Sequence, residues 1–128
     1  MKFLANCLLP FALCLLIFVG THAQSIKPLR VGVVGLNHDH VGWILNYKSP
    51  GIEIVGIAEP NKEIVEKYSK RYGFPTNIVY NSIEEMVEKT KPEAVLGFNA
   101  IFDHLKIVEV CAPKGIHGLG RVYEIEKG

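Results

Sequence analysis

A chain of 128 residues has room for one domain and not comfortably for two. With 48% hydrophobic and 21% charged residues it is neither disordered nor of low complexity. The formal net charge of +1 leaves no electrostatic footprint for nucleic acid or an anionic membrane surface, so neither partner is expected.

The first segment is apolar in a particular way. Met1-Lys2 gives a positive start, residues 3–19 hold no charge and only Asn6 is strongly polar, and Thr21-His22-Ala23 forms a small-x-small ending before Gln24. That is the layout of a secretory signal peptide over residues 1–23. Its apolar core is shorter than the roughly 20 residues that a bilayer-spanning helix needs, so cleavage is expected rather than anchoring. The expectation is therefore an exported chain, periplasmic or secreted, with no membrane attachment once the leader is removed. Cys7 and Cys14 lie in the leader, which leaves Cys111 alone and excludes an internal disulfide.

After a short polar linker at 24–28, apolar runs and helical patterns alternate. Residues 29–34 form a β-branched run ended by Gly35, a buried strand by pattern. Val41, Ile44 and Leu45 then recur at helical spacing until Ser49-Pro50-Gly51 breaks the pattern. A second strand is predicted at 52–58. Asn61 is an N-cap for a helix that carries Ile64, Val65, Tyr68 and Tyr72 on one face and ends at Gly73. A short third strand follows at 78–80. Ser82 with Glu85 makes a capping box for a helix at 83–89. A fourth strand is predicted at 93–98 and a fourth helix at 102–112, stopped by Pro113-Lys114-Gly115. Strands alternating with helices expected to be about 10–13 residues long imply βαβ units. The predicted fold is α/β: a doubly wound parallel sheet, Rossmann-like, over 29–117.

In such sheets ligands bind beyond the carboxyl ends of the strands, where the winding reverses. The loop there reads Gly35-Leu36-Asn37-His38-Asp39-His40. A dinucleotide loop of the G-x-G-x-x-G type needs its first glycine for the turn, its second for approach of the pyrophosphate and its third for helix packing. Gly35 fills the first place. Asn37 stands in the second, where it can take left-handed backbone angles but its side chain occupies space a phosphate would need, and the bulkier His40 stands in the third, where nearby Gly42 can partly relieve helix packing. Glu59 closes the second strand, near the spacing of about 20 residues at which an acid accepts hydrogen bonds from an adenosine ribose. A carboxylate there favours the diol of NAD over the phosphate of NADP; the plainer alternative is an exposed acid at a strand end. His38, Asp39, His40 and His104 fall at neighbouring strand ends. They are expected to line a pocket for a cofactor or sugar rather than to hold a metal. Cys111 is expected to pack as a small hydrophobe. Trp43, Tyr47 and Tyr68 fit either the core or a face meant for another domain.

Taken with VGVVGL at 31–36, IVGIAEPN at 54–61 and SIEEMVEKTKPEAVLGF at 82–98, and with His104 and CAPKGIH at 111–117, the chain from 29 to 117 resembles the N-terminal domain of the Gfo/Idh/MocA oxidoreductases. The resemblance implies an NAD(P)-binding domain with cofactor contacts at Gly35, Leu36, Asn37, His38, Asp39, Glu59 and Asn99. It also implies a sugar or polyol substrate for the parent enzyme, and allows a homo-oligomer. The departures matter as much. Asn37 and His40 replace loop glycines, and Ala100-Ile101 stand where the family tends to have Pro-Asn. The family's Glu-Lys-Pro motif does not follow His117, so no catalytic residue is assigned. Residues 118–128 read as a divergent tail, and the family's second, substrate-binding domain is absent. A truncated copy of such an enzyme is the expectation. The rival readings are an exported, non-catalytic module for a carbohydrate or a metal, and a fragment with no stable fold.

Overall fold

The computed structural model describes residues 26–119. The expected leader and the tail beyond residue 119 lie outside the described residues. Among the described residues five strands form one parallel sheet: β1 (Leu29–Val34), β2 (Ile52–Ala58), β3 (Val79–Tyr80), β4 (Ala94–Gly97) and β5 (His117–Leu119), in the order β3-β2-β1-β4-β5. Four helices connect them: α1 (Val41–Leu45), α2 (Lys62–Tyr72), α3 (Ile83–Thr90) and α4 (His104–Cys111). Among the described residues no helix is long and apolar enough to cross a membrane.

The sheet has a core on each face. Val33 and Ile57 point to one side, where they pack with Leu36, Val41, Ile44, Leu45 and Tyr68 of the first loop, α1 and α2. Val34, Ala58 and Val95 point to the other, against Ile83, Met86 and Val87 of α3 and Ile107 and Cys111 of α4. This division of helices makes the fold doubly wound and follows from the period-two alternation of strand side chains. One irregularity is required for it to work. Val31 pairs with Ile54 but Gly32 pairs with Gly56, so Val55 is an extra residue in β2. The bulge reverses the alternation: Ile52 and Ile54 before it and Ile57 after it all serve the same core.

Strand glycines admit the α3 and α4 side chains. A Cβ on Gly32 or Gly56 would lie 2.7 Å from Met86, and one on Gly97 would lie 2.6 Å from Ile107. Met86 and Ile107 thus press against strand backbone, which is how both reach near-complete burial.

Several boundaries differ from the sequence reading. α1 is one short turn rather than a helix of 10 residues or more, because its N-cap His40 makes no side-chain cap bond and Ser49-Pro50 follows closely. Ile78 closes a 3-10 turn at Thr76–Ile78 instead of opening β3. The last helix begins with a 3-10 turn at Ile101–Asp103 and ends in another at Ala112–Lys114. Gly118 and Leu119, placed by the sequence reading in the divergent tail, pair with Val95 and Leu96 as part of β5. The caps agree with expectation. Asn61 Oδ1 accepts from the backbone N–H groups of Glu63 and Ile64, and Ser82 Oγ accepts from that of Glu85.

Candidate functional site

The winding reverses between β1 and β4, so the crevice of interest opens where these strands end. Two loops meet there. Gly35 leaves β1 at φ +82°, and a Cβ on it would lie 2.8 Å from both the backbone nitrogen and the Cβ of Asn99, which follows β4. Only glycine satisfies both demands, the left-handed turn and the close approach. Gly35 N–H donates to Ala58 O at 2.9 Å and Phe98 N–H to Val34 O at 2.7 Å, so the turn is tied to both neighbouring strands.

Glu59 is the central polar group. It is 5% exposed, not the surface acid that a strand end would ordinarily carry. Its Oε2 accepts from Leu36 N–H and its Oε1 from Asn61 N–H, each at 3.0 Å. Its own N–H donates to Tyr80 O at 3.0 Å. A carboxylate has about four acceptor sites, so two remain for a ligand. Leu36 itself is fully buried in the α1–α2 core, and its contribution to the loop is its backbone amide.

At the same strand ends lies a cleft of about 190 Å³ whose floor includes Val34, Ala58 and Ile83 and whose wall includes Asn81, Asn99 and Lys106; Ala58 and Pro60 line it, whereas the Glu59 side chain between them does not. Asn99 Oδ1 is buried there with no hydrogen-bond partner, an acceptor available to a donor group. At the rim Lys106 Nζ lies 2.9 Å from Glu84 Oε1 and joins α4 to α3. That contact holds the Glu84 carboxyl below its usual range and the Lys106 ammonium above its own. A larger cleft of about 420 Å³, between α2 and β3, is lined by Glu59 itself together with Lys62 and Thr76. The smaller cleft is the better candidate, because it sits at the reversal point with an apolar floor.

Asn37, His38, Asp39 and His40 are all exposed on the loop that leads into α1. Asn37 does not take left-handed angles: among the described residues the one non-glycine with positive φ is Lys91. Gly35 alone reverses the chain, and the loop then tightens through Val41 N–H to His38 O and Gly42 N–H to Asp39 O. Gly42 does relieve packing, though against α2 and not against the sheet; a Cβ there would lie 2.5 Å from Tyr72 Oη. His104 is buried at the start of α4, unlike the exposed histidines of the first loop. Among the described residues no three His, Cys, Asp or Glu side chains gather as a metal set would. Cys111 is buried, and burial pushes its thiol up. Of the three aromatic residues in question, Tyr68 is core, while Trp43 and Tyr47 are exposed.

The sequence reading missed Asn81, Glu84 and Lys106 as site residues. The capping box at Ser82 was the available signal, since it fixes the start of α3 at the end of β3 and so at the same edge of the sheet.

No protein-family model matches the chain, and no curated protein matches it. Solved structures do. A myo-inositol 2-dehydrogenase from Lactobacillus plantarum aligns with a TM-score of 0.61 at 18% identity, over 72% of this chain and 27% of that one. A scyllo-inositol dehydrogenase from Lactobacillus casei aligns at 0.59 and 20% identity, over 73% and 28%. A dihydrodipicolinate reductase from Paenisporosarcina sp. TG-14, solved with dipicolinate, aligns at 0.55 and 17% identity, over 71% and 36%. At these identities the likeness is one of fold, and the chain spans about a quarter to a third of the length of these proteins.

Proposed function

We propose that the chain is the nicotinamide-dinucleotide-binding domain of an exported oxidoreductase acting on a sugar or polyol, with NAD preferred to NADP. The observation that carries the reading is Glu59, a buried carboxylate fixed at the end of β2 beside the Gly35 turn, with two acceptor sites left over. Its free acceptor sites suit the two hydroxyls of an adenosine ribose. A phosphate on that ribose would meet negative charge instead. The apolar floor of Val34, Ala58 and Ile83 suits the face of a base, and Asn99 Oδ1 supplies an acceptor beside it.

The inositol dehydrogenases among the structural neighbours support a polyol substrate for the parent enzyme. When bound, the dinucleotide supplies hydride transfer; the residues of this chain bind and orient it, and none is assigned a role in the chemistry. Export rests on the leader at 1–23, and self-association of the parent protein on the family resemblance. The departures at Asn37 and His40 favour one rival, a non-catalytic module that takes a carbohydrate or a divalent ion in place of a dinucleotide.

Calorimetric titration with NAD and NADP separates the two. Saturable NAD binding, weaker NADP binding, and a loss of roughly tenfold or more in NAD affinity for Glu59→Ala are expected. No heat at millimolar NAD, with thermal stabilisation by a sugar or a divalent ion, would establish the rival.

A further inference from the structure

We infer that Glu59 is a positioning residue: its carboxylate clamps the β1–α1 turn to the start of α2, and so fixes the dinucleotide loop for parts of a ligand that never reach it. The geometry differs from what ribose binding alone asks of an acid. A residue kept only for a ligand's hydroxyls would project into the crevice and be solvated before the ligand arrives. Glu59 is 5% exposed, and each of its oxygens already accepts a backbone N–H at 3.0 Å. The two donors belong to different elements: Leu36 to the turn after β1, and Asn61 to the residue that caps α2. The Glu59 backbone is held in turn by Tyr80 O of β3. One residue therefore ties together the ends of three adjacent strands, β1 and β2 through its carboxylate and β3 through its backbone N–H.

The arrangement explains how the turn keeps its shape with a single glycine. Gly35 provides the reversal, but Asn37 and His40 do not provide the flexible, close-packed backbone that later glycines give in such loops. The turn is secured instead by the Leu36 side chain buried on one side and the Leu36 amide held by Glu59 on the other. A charged acceptor makes a stronger bond to an amide than a neutral one does, and two such bonds compensate a buried carboxylate.

The amide half of the inference stands without any ligand; the ligand half rests on the dinucleotide reading. The test uses the full chain and Glu59→Gln, which matches the side chain in size but turns one acceptor into a donor, so that one of the two amides loses its partner. Amide hydrogen exchange, resolved by residue, is expected to accelerate roughly tenfold or more at Leu36 or Asn61 while Val33 and Val95 in the core exchange as before. Glu59→Asp keeps the charge but shortens the reach, and is expected to show the same local acceleration. It also serves if the glutamine variant does not fold. Unchanged exchange at both amides in a folded variant would overturn the inference, as would an unprotected Leu36 amide in the unmodified chain. Titration with NAD and with nicotinamide mononucleotide, which has no adenosine ribose, supplies the second readout. The clamp predicts that Glu59→Gln weakens nicotinamide mononucleotide as well as NAD, with the larger loss for NAD, which also loses its ribose contact, whereas loss of NAD affinity alone would assign Glu59 to the ribose only. If the unmodified chain binds neither, the dinucleotide reading fails and the exchange rates decide the clamp by themselves.

Discussion

At the scale of single residues, the turn between β1 and α1 places the sharpest demands on the sequence. Gly35→Ala meets two penalties, a left-handed φ and a Cβ driven to 2.8 Å from the Asn99 backbone nitrogen. The backbone cannot withdraw without breaking the Gly35–Ala58 bond. A loss of about 2 kcal/mol or more is expected, read from urea unfolding midpoints at constant slope. Asn61 acts locally and more cheaply: Asn61→Ala removes the side-chain acceptor for two helix N–H groups and is expected to cost about 1 kcal/mol. Cys111 offers a chemical check on its burial. With its thiol pushed up and its side chain 1% exposed, it is expected to react with an alkylating reagent at neutral pH only in urea, as followed by mass spectrometry.

Among the elements, α3 is the one the sheet is shaped around. Met86 lies over Gly32 with its terminal methyl and over Gly56 with its Cγ, where Thr90 and Tyr80 crowd the same spot. A methyl group added at Gly32 displaces only the flexible end of Met86. One added at Gly56 meets the stem of the side chain and two further neighbours. Gly56→Ala is therefore expected to be the more destabilising of the two, by about 1–3 kcal/mol against a smaller loss for Gly32→Ala. The Glu84–Lys106 contact between α3 and α4 has a defined pH window. Glu84 is held below its usual range, so the pair's contribution is present at neutral pH and is lost as pH falls through the folded-state value of Glu84. Lys106 is held above its usual range, so its share persists to alkaline pH and is lost only as pH rises through that raised value. The difference in melting temperature between the unmodified chain and Glu84→Gln is expected to shrink between neutral pH and about pH 3.

For the molecule as a whole, the surface left open is as informative as the core. Phe102, Leu105 and Val108 follow one another at helical spacing along the outside of α4 and its leading turn, and Phe102 is 94% exposed. Double substitution of Phe102 and Leu105 by Ser is expected to change stability by less than about 0.5 kcal/mol while raising the concentration at which the protein stays in solution, measured by light scattering.

Much of this architecture was legible in the residues, and the parts that were not share a cause. The order of strands and helices, the caps at Asn61 and Ser82, the Gly35 turn, the burial of Cys111 and the doubly wound class all follow from local patterns: alternation, helical spacing, capping chemistry and glycine placement. These are properties of neighbouring residues, so the sequence by itself determined them. The shortness of α1, the bulge at Val55, the continuation of β5 through Leu119, the ordinary backbone of Asn37 and the exposure of Trp43 depend on what packs from elsewhere in the chain. Glu59 shows the division most clearly. Its position at the end of β2 was evident from spacing alone. That its carboxylate lies buried between the amides of Leu36 and Asn61 was decided by the tertiary structure, because only the closing of the sheet brings those donors to it.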